Sequence, residues 1–166
     1  MSSDGKTPEK VTFDGGTEAE QQELLRAFQD FWTANDVLDI PRLKELWRDS
    51  DDYVYFNSNG FTYNGFQDWL GVWRYYGPRF DLIEPARLGN VKVMIRGDMA
   101  VLTDDRVQIH REPKNQGPIL GRHITGRPVM RGTMVYTRES DGWKCVHAHY
   151  SPSELEGERP WAPPQD

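Results

Sequence analysis

At 166 residues the chain has room for one domain with its own core. A net charge of −6 argues against non-specific nucleic-acid binding, which needs a basic footprint. The single cysteine excludes an internal disulfide and suits a reducing, cytoplasmic setting. No signal-peptide pattern, lipidation motif or apolar run of about 18 residues points to a membrane. Hydrophobic residues make up only 37%, but aromatics reach 12%, so Trp, Tyr and Phe must supply the missing apolar area.

Residues 1–16 are polar and Gly-rich and read as a mobile arm, partly extended around Val11-Thr12-Phe13. Thr17-Glu18-Ala19-Glu20 fits a capping box. Leu24, Leu25, Phe28, Phe31 and Trp32 then follow at helical spacing, which predicts a helix of about four turns ending at Asn35-Asp36. Asp39-Ile40-Pro41 opens a second, shorter helix, with Leu43, Leu46 and Trp47 on its buried face. Tyr53 to Asn59 reads as a strand, Asn59-Gly60 as a turn, and Phe61 to Asn64 as a short return strand. A third helix starts at Gly65, carries Phe66, Trp69, Leu70, Trp73 and Tyr76 on one stripe, and stops at Gly77-Pro78.

From Ile83 the chain turns to strands. Val91, Val93 and Ile95 alternate with polar neighbours, and Gly97-Asp98 makes a hairpin into Met99 to Arg111. Pro113 to Pro118 reads as a loop, and Leu120 to Arg138 as a strand region bent at Gly121, Gly126, Pro128 and Gly132. Asp141-Gly142 predicts a tight hairpin into the last strand. Residues 154–166 read as an irregular tail. Helices followed by hairpin-linked strands make an α+β domain over residues 17–153, with three N-terminal helices covering a curved antiparallel sheet that encloses a pocket.

On the last strand, strict period two places Trp143, Cys145, His147, His149 and Ser151 on one face. The two imidazoles then lie about 7 Å apart. Such a pair can supply an acid and a base, hydrogen-bond a substrate, chelate a metal or serve structure. A third metal ligand is not evident beyond His123 and Asp104, so no metal is assigned. Cys145 shares that face but reads as a buried thiol. Asp104 and Arg106 share a face with Ala100, Leu102, Gln108 and His110; they form either a substrate-oxyanion site or a structural ion pair. Composition alone would turn the other face, with Val101, Val107 and Ile109, inward. Tyr55 offers a hydroxyl for a developing oxyanion, and Trp69 and Trp73 form a stripe that serves as core, as pocket lining, or both. No GxGxxG or Walker pattern occurs, and no cofactor is implied.

The element order, Gly-Phe-x-x-Trp at Gly65 to Trp69, and Gly-Trp-Lys-x-Val-His-x-His-x-Ser from Gly142 to Ser151 resemble the nuclear transport factor 2-like superfamily. SnoaL-like domains and the association domain of calcium/calmodulin-dependent kinase look most similar. The resemblance covers roughly residues 20–153 and implies a cone-shaped fold, a deep pocket and a homodimer. Matching the association domain directs Asn57, Trp69 and Arg106 toward the pocket, which makes the face of Asp104 and Arg106 the inner one. Members include isomerases, cyclases, dehydratases, lyases and non-catalytic binders. The combined expectation is a cofactor-free acid/base enzyme of one of those types, acting on a small hydrophobic, aromatic or polyketide-like molecule. His149, His147, Arg106 and Tyr55 would carry catalysis; Asn57, Trp69, Trp73 and Asp104 would hold substrate. The alternative is a non-catalytic small-ligand-binding or oligomerisation module.

Overall fold

A computed structural model describes residues 6–114 and 128–153. His123, the glycines at 121 and 126, part of the loop expected at 113–118 and the whole tail from 154 lie outside the described residues.

Chain order is β1 (Lys10–Asp14), α1 (Glu18–Val37), α2 (Ile40–Leu46), β2 (Val54–Phe56), β3 (Thr62–Asn64), α3 (Phe66–Tyr76), β4 (Phe80–Arg87), β5 (Asn90–Arg96), β6 (Met99–Pro113), β7 (Val129–Glu139) and β8 (Gly142–Pro152). The architecture is α+β: three helices lie against one eight-stranded sheet. Among the described residues no helix is long and apolar enough to cross a membrane.

The helices begin where their capping chemistry dictates. Thr17 and Glu20 form the reciprocal capping box of α1, with the Thr17 amide donating to Glu20 at 2.7 Å. The helix runs past Asn35-Asp36 to Val37. Leu38 closes it in the left-handed region at φ 55°, and the Asp39 amide donates to the Ala34 carbonyl at 2.9 Å. That is a Schellman-type end without the usual glycine. Asp39 caps α2, whose first turn carries Pro41. Gly65, at φ 78°, starts α3, and a Cβ there would sit 2.8 Å from the Asp51 carboxylate.

The sheet order is β1-β5-β6-β7-β8-β2-β3, with β4 pairing β6 off that path. The β5-β6-β7-β8 pairings are antiparallel, as expected. The sheet as a whole is mixed, because β1 runs parallel to β5 and β2 parallel to β8. The segment read as an arm thus contributes a strand.

Strand β6 is the spine. Its first half pairs β5, its second half pairs β4, and its other edge pairs β7. Between the halves Asp104 opposes Gly132 while Val107 opposes Met130: three residues advance against two, a β-bulge at Asp105-Arg106. A second bulge lies in β8, where Cys145 opposes Tyr136 and His147 opposes Val135, leaving Val146 as the extra residue. Bulges bend a strand and shift its side-chain phase by one, so β6 and β8 each exchange faces along their length. Ala100, Leu102 and Asp104 point inward on β6, and after the bulge Val107 and Ile109 do. Likewise Trp143 and Cys145 point inward on β8, then Ala148 and Tyr150.

Inside the curve the aromatics meet. Trp47 is the hub, with ring centroids 5.4 Å from Phe31, 5.4 Å from Tyr55, 5.6 Å from Trp69 and 5.5 Å from Trp73. Edge-on and tilted contacts of this kind add to simple area burial. Gly132 permits the fit on the sheet side, because a Cβ there would lie 2.6 Å from the Tyr150 ring.

Candidate active site: an aromatic-rich cavity with a half-buried arginine

The curved sheet and the helices enclose a cavity of about 120 Å³. Helix α1 supplies Phe31, Trp32 and Asn35 to its wall, and α3 supplies Trp69, Val72, Trp73 and Tyr76. The turn after β2 brings Asn57, Ser58 and Asn59 to the mouth. The sheet contributes Ile109 and Arg111 from β6, Met130 from β7 and Tyr150 from β8. A cavity of about 150 Å³ lined by apolar side chains holds one benzene ring, so this space suits a molecule of one-ring width.

Its polar groups are few. Asn35 is oriented by Trp73, whose Nε1 donates to Asn35 Oδ1 at 3.0 Å. Asn59 Nδ2 donates to the Tyr63 hydroxyl at 2.8 Å. The Trp32 and Trp69 indole N–H groups, both buried, have no acceptor among the described residues. Buried donors are normally satisfied, so these two are open to an acceptor on a guest.

Arg111 is the charged member of the described lining. It donates to the Asn35 carbonyl, and among the described residues no carboxylate lies within ion-pair distance of it. Burial pulls its pKa below the usual range, while the fields of Asp36 and Tyr76 act the other way. An arginine keeps its charge regardless. Burial also raises the Tyr76 and Tyr150 hydroxyls, so both stay protonated; Tyr150 donates to Met134 Sδ at 3.2 Å. The described lining holds no His, Asp, Glu, Lys or Cys.

The SnoaL-like domain profile matches residues 24–153. The chain belongs to the SnoaL-like family. A search of curated proteins returns no significant match. Among solved structures, a nuclear transport factor 2-like superfamily protein from Salmonella enterica serovar Typhimurium aligns over 86% of this chain and 96% of its own, with TM-score 0.67 and 19% identity. A protein provisionally named an aromatic ring hydroxylase, from Novosphingobium aromaticivorans, aligns over 86% and 94%, with TM-score 0.68 and 16% identity. A provisionally assigned calcium/calmodulin-dependent protein kinase type II association domain from Thiobacillus denitrificans aligns over 77% and 93%, with TM-score 0.56 and 21% identity. Likeness at these identities establishes the nuclear transport factor 2-like cone fold and leaves activity to the site.

In this SnoaL-like domain the residues singled out from sequence separate into three places. Asn57, Trp69 and Trp73 line the cavity. Tyr55 and Asp104 are buried but stand outside that lining. The Tyr55 ring stacks on Trp69 at 5.3 Å, and its hydroxyl, pushed up by burial, finds no partner among the described residues. Asp104 accepts from the Gly89 amide at 3.1 Å and the Arg106 amide at 2.9 Å through Oδ1, while Oδ2 has no partner among the described residues. Burial raises its pKa to about 6 against the lowering effect of those two amides.

His147, His149 and Arg106 lie on the outer face of the sheet, contrary to the expected orientation. Val146 is the reason for the histidines: the extra residue shifts the phase, so Ala148 and Tyr150 take the inner positions. His147 Nδ1 lies 2.6 Å from the Val54 carbonyl, which can only accept, so that nitrogen carries the proton. His149 is exposed, and Phe56 packs edge-on against both imidazoles at 5.5 and 5.4 Å. The bulge at Asp105-Arg106 likewise sends Arg106 outward to an ion pair with Glu9, so Asp104 and Arg106 form no side-chain pair.

Strict alternation missed Arg111 for the same reason. On β6 the buried positions are even through Asp104 and odd from Val107, but Met99 to Leu102 are all apolar, so in the sequence only the charged run Asp104-Asp105-Arg106 marks the change. On β8 the adjacent Cys145-Val146, followed by Ala148 and Tyr150, marks a similar change.

Proposed function

We infer that the cavity binds a small, flat, largely apolar molecule bearing an anionic oxygen. Its ring would pack among Trp32, Trp69 and Trp73, and its oxygen would meet the Arg111 guanidinium. The observation that carries this reading is the half-buried Arg111, without a carboxylate partner among the described residues, in a largely apolar, Trp-rich wall. A guanidinium is suited to a carboxylate, phenolate or enolate oxygen. The same cation would stabilise an oxyanion that develops during isomerisation, dehydration or a lyase step, so the enzyme expected from the family resemblance retains an electrostatic element. A proton carrier active near neutrality is not among the described lining residues, which favours binding as the primary role.

Calorimetric titration with benzoate and its neutral isostere benzamide tests the reading. The wild type is expected to prefer benzoate by roughly tenfold, as for a charge-assisted contact. Arg111→Met should abolish the preference and leave benzamide affinity unchanged. Equal affinity of the wild type for the two compounds would sink the assignment.

A further inference from the structure

The residues ahead of β1 tie down a charge that the cavity shares. The Lys6 carbonyl accepts from Gln29 Nε2 at 3.1 Å, and Lys6 Nζ donates to the Ala86 carbonyl at 3.1 Å. The same ammonium pairs with Asp36, the two side chains being only 13% and 6% exposed. The other Asp36 oxygen accepts from the Ala86 amide at 2.9 Å. Asp36 directly follows Asn35, whose carbonyl accepts from Arg111. Lys6, Asp36 and Arg111 therefore form a row of alternating charge from the residues ahead of β1 through the end of α1 to the cavity wall. The field of Asp36 reaches Arg111 without an ion pair between them.

Without Lys6, the field of the buried Asp36 carboxylate would act on Arg111 uncompensated, and the pair would be neutral overall. With Lys6 in place the carboxylate is answered from the other side and the row keeps one positive charge, at the cavity. We propose that Lys6 is a specificity-determining residue for the cavity: by neutralising Asp36 it leaves the Arg111 charge available to an anionic guest. This rests on the cavity taking an anion, as argued above.

The test is the benzoate-over-benzamide preference, measured by calorimetry on charge variants of the full chain. Lys6→Met is expected to cut the preference about fivefold through loss of one unit charge at partly screened range. Lys6→Arg should keep it. The double variant Lys6→Met/Asp36→Asn, which removes both charges, should restore it. Asp36→Asn alone retains an acceptor for the Ala86 amide, should raise the preference about fivefold, and serves if Lys6→Met fails to fold. An unchanged preference in Lys6→Met or in Asp36→Asn overturns the role of Lys6, and so does a double variant that behaves like Lys6→Met. Those outcomes are distinct from failure of the cavity reading itself, in which the wild type shows no preference to lose.

Discussion

The two faces of the one sheet carry different chemistry. The inner face is largely apolar and rich in aromatics, with Arg111 and Asp104 as its charged residues. The outer face carries His147, His149, Arg106 and Lys92, with Phe56 and Val101 among its exposed apolar side chains. Their sequences do not separate them, since both draw on the same long strands and exchange residues at the bulges of β6 and β8. What assigns a side chain to a face here is a phase set by one extra residue, not its type.

Substitutions on each face should expose the contrast, and the largest effect belongs to the interior. Trp47→Ala removes the ring that touches Phe31, Tyr55, Trp69 and Trp73. It is expected to cost about 3–5 kcal/mol in urea unfolding, the range for an aromatic deleted from a core. A loss below about 1 kcal/mol would mean the cluster is not packed as described.

Asp104 gives the next effect, and its sign is opposite to that of a salt-bridged carboxylate. Its folded-state pKa, about 6, lies above the unfolded value. The ionisation penalty of its burial is therefore absent below the unfolded pKa, grows as pH rises from there, and levels off above about 6. Asp104→Asn cannot ionise. The stability difference between variant and wild type should move in the variant's favour by on the order of 2–3 kcal/mol between pH 4 and pH 7.5. The cost of burying the amide itself cancels in that comparison. A difference that stays flat with pH would refute the assignment.

The smallest effect is expected outside. His149→Ala should leave benzoate affinity within about twofold of wild type, since its ring is separated from the cavity by the thickness of the sheet. A large loss of binding there would return the histidines to the site.

Much of the fold was legible in the sequence because its signals are local. The capping box at Thr17-Glu20, the Pro41 start and the α3 stripe need only neighbouring residues to be read, and so do the hairpins at Gly97-Asp98 and Asp141-Gly142. Asn57, Trp69 and Trp73 lie in the cavity wall because no irregularity intervenes between their pattern and their placement. The strand edges were less accessible: β1 pairs with β5 across more than seventy residues, and no local pattern specifies that partner. The placement of His147, His149 and Arg106 was missed at two points. Period two was carried through Asp105-Arg106 and through Val146, and every residue beyond each point was assigned to the wrong side. On β8 the doubled apolar pair Cys145-Val146, followed by Ala148 and Tyr150, is a local mark of the bulge; on β6 the all-apolar run Met99 to Leu102 hides the phase.

Trp47, Trp69 and Trp73 stand with ring centroids 5.5 to 5.7 Å apart. Indoles this close share their excited states, so the folded chain should give a strong near-ultraviolet dichroism band that vanishes once fixed side-chain packing is lost. Because Trp69 and Trp73 also border the cavity, a guest that shifts either ring alters that band. The domain thus carries a built-in optical gauge of occupancy, readable without any attached dye.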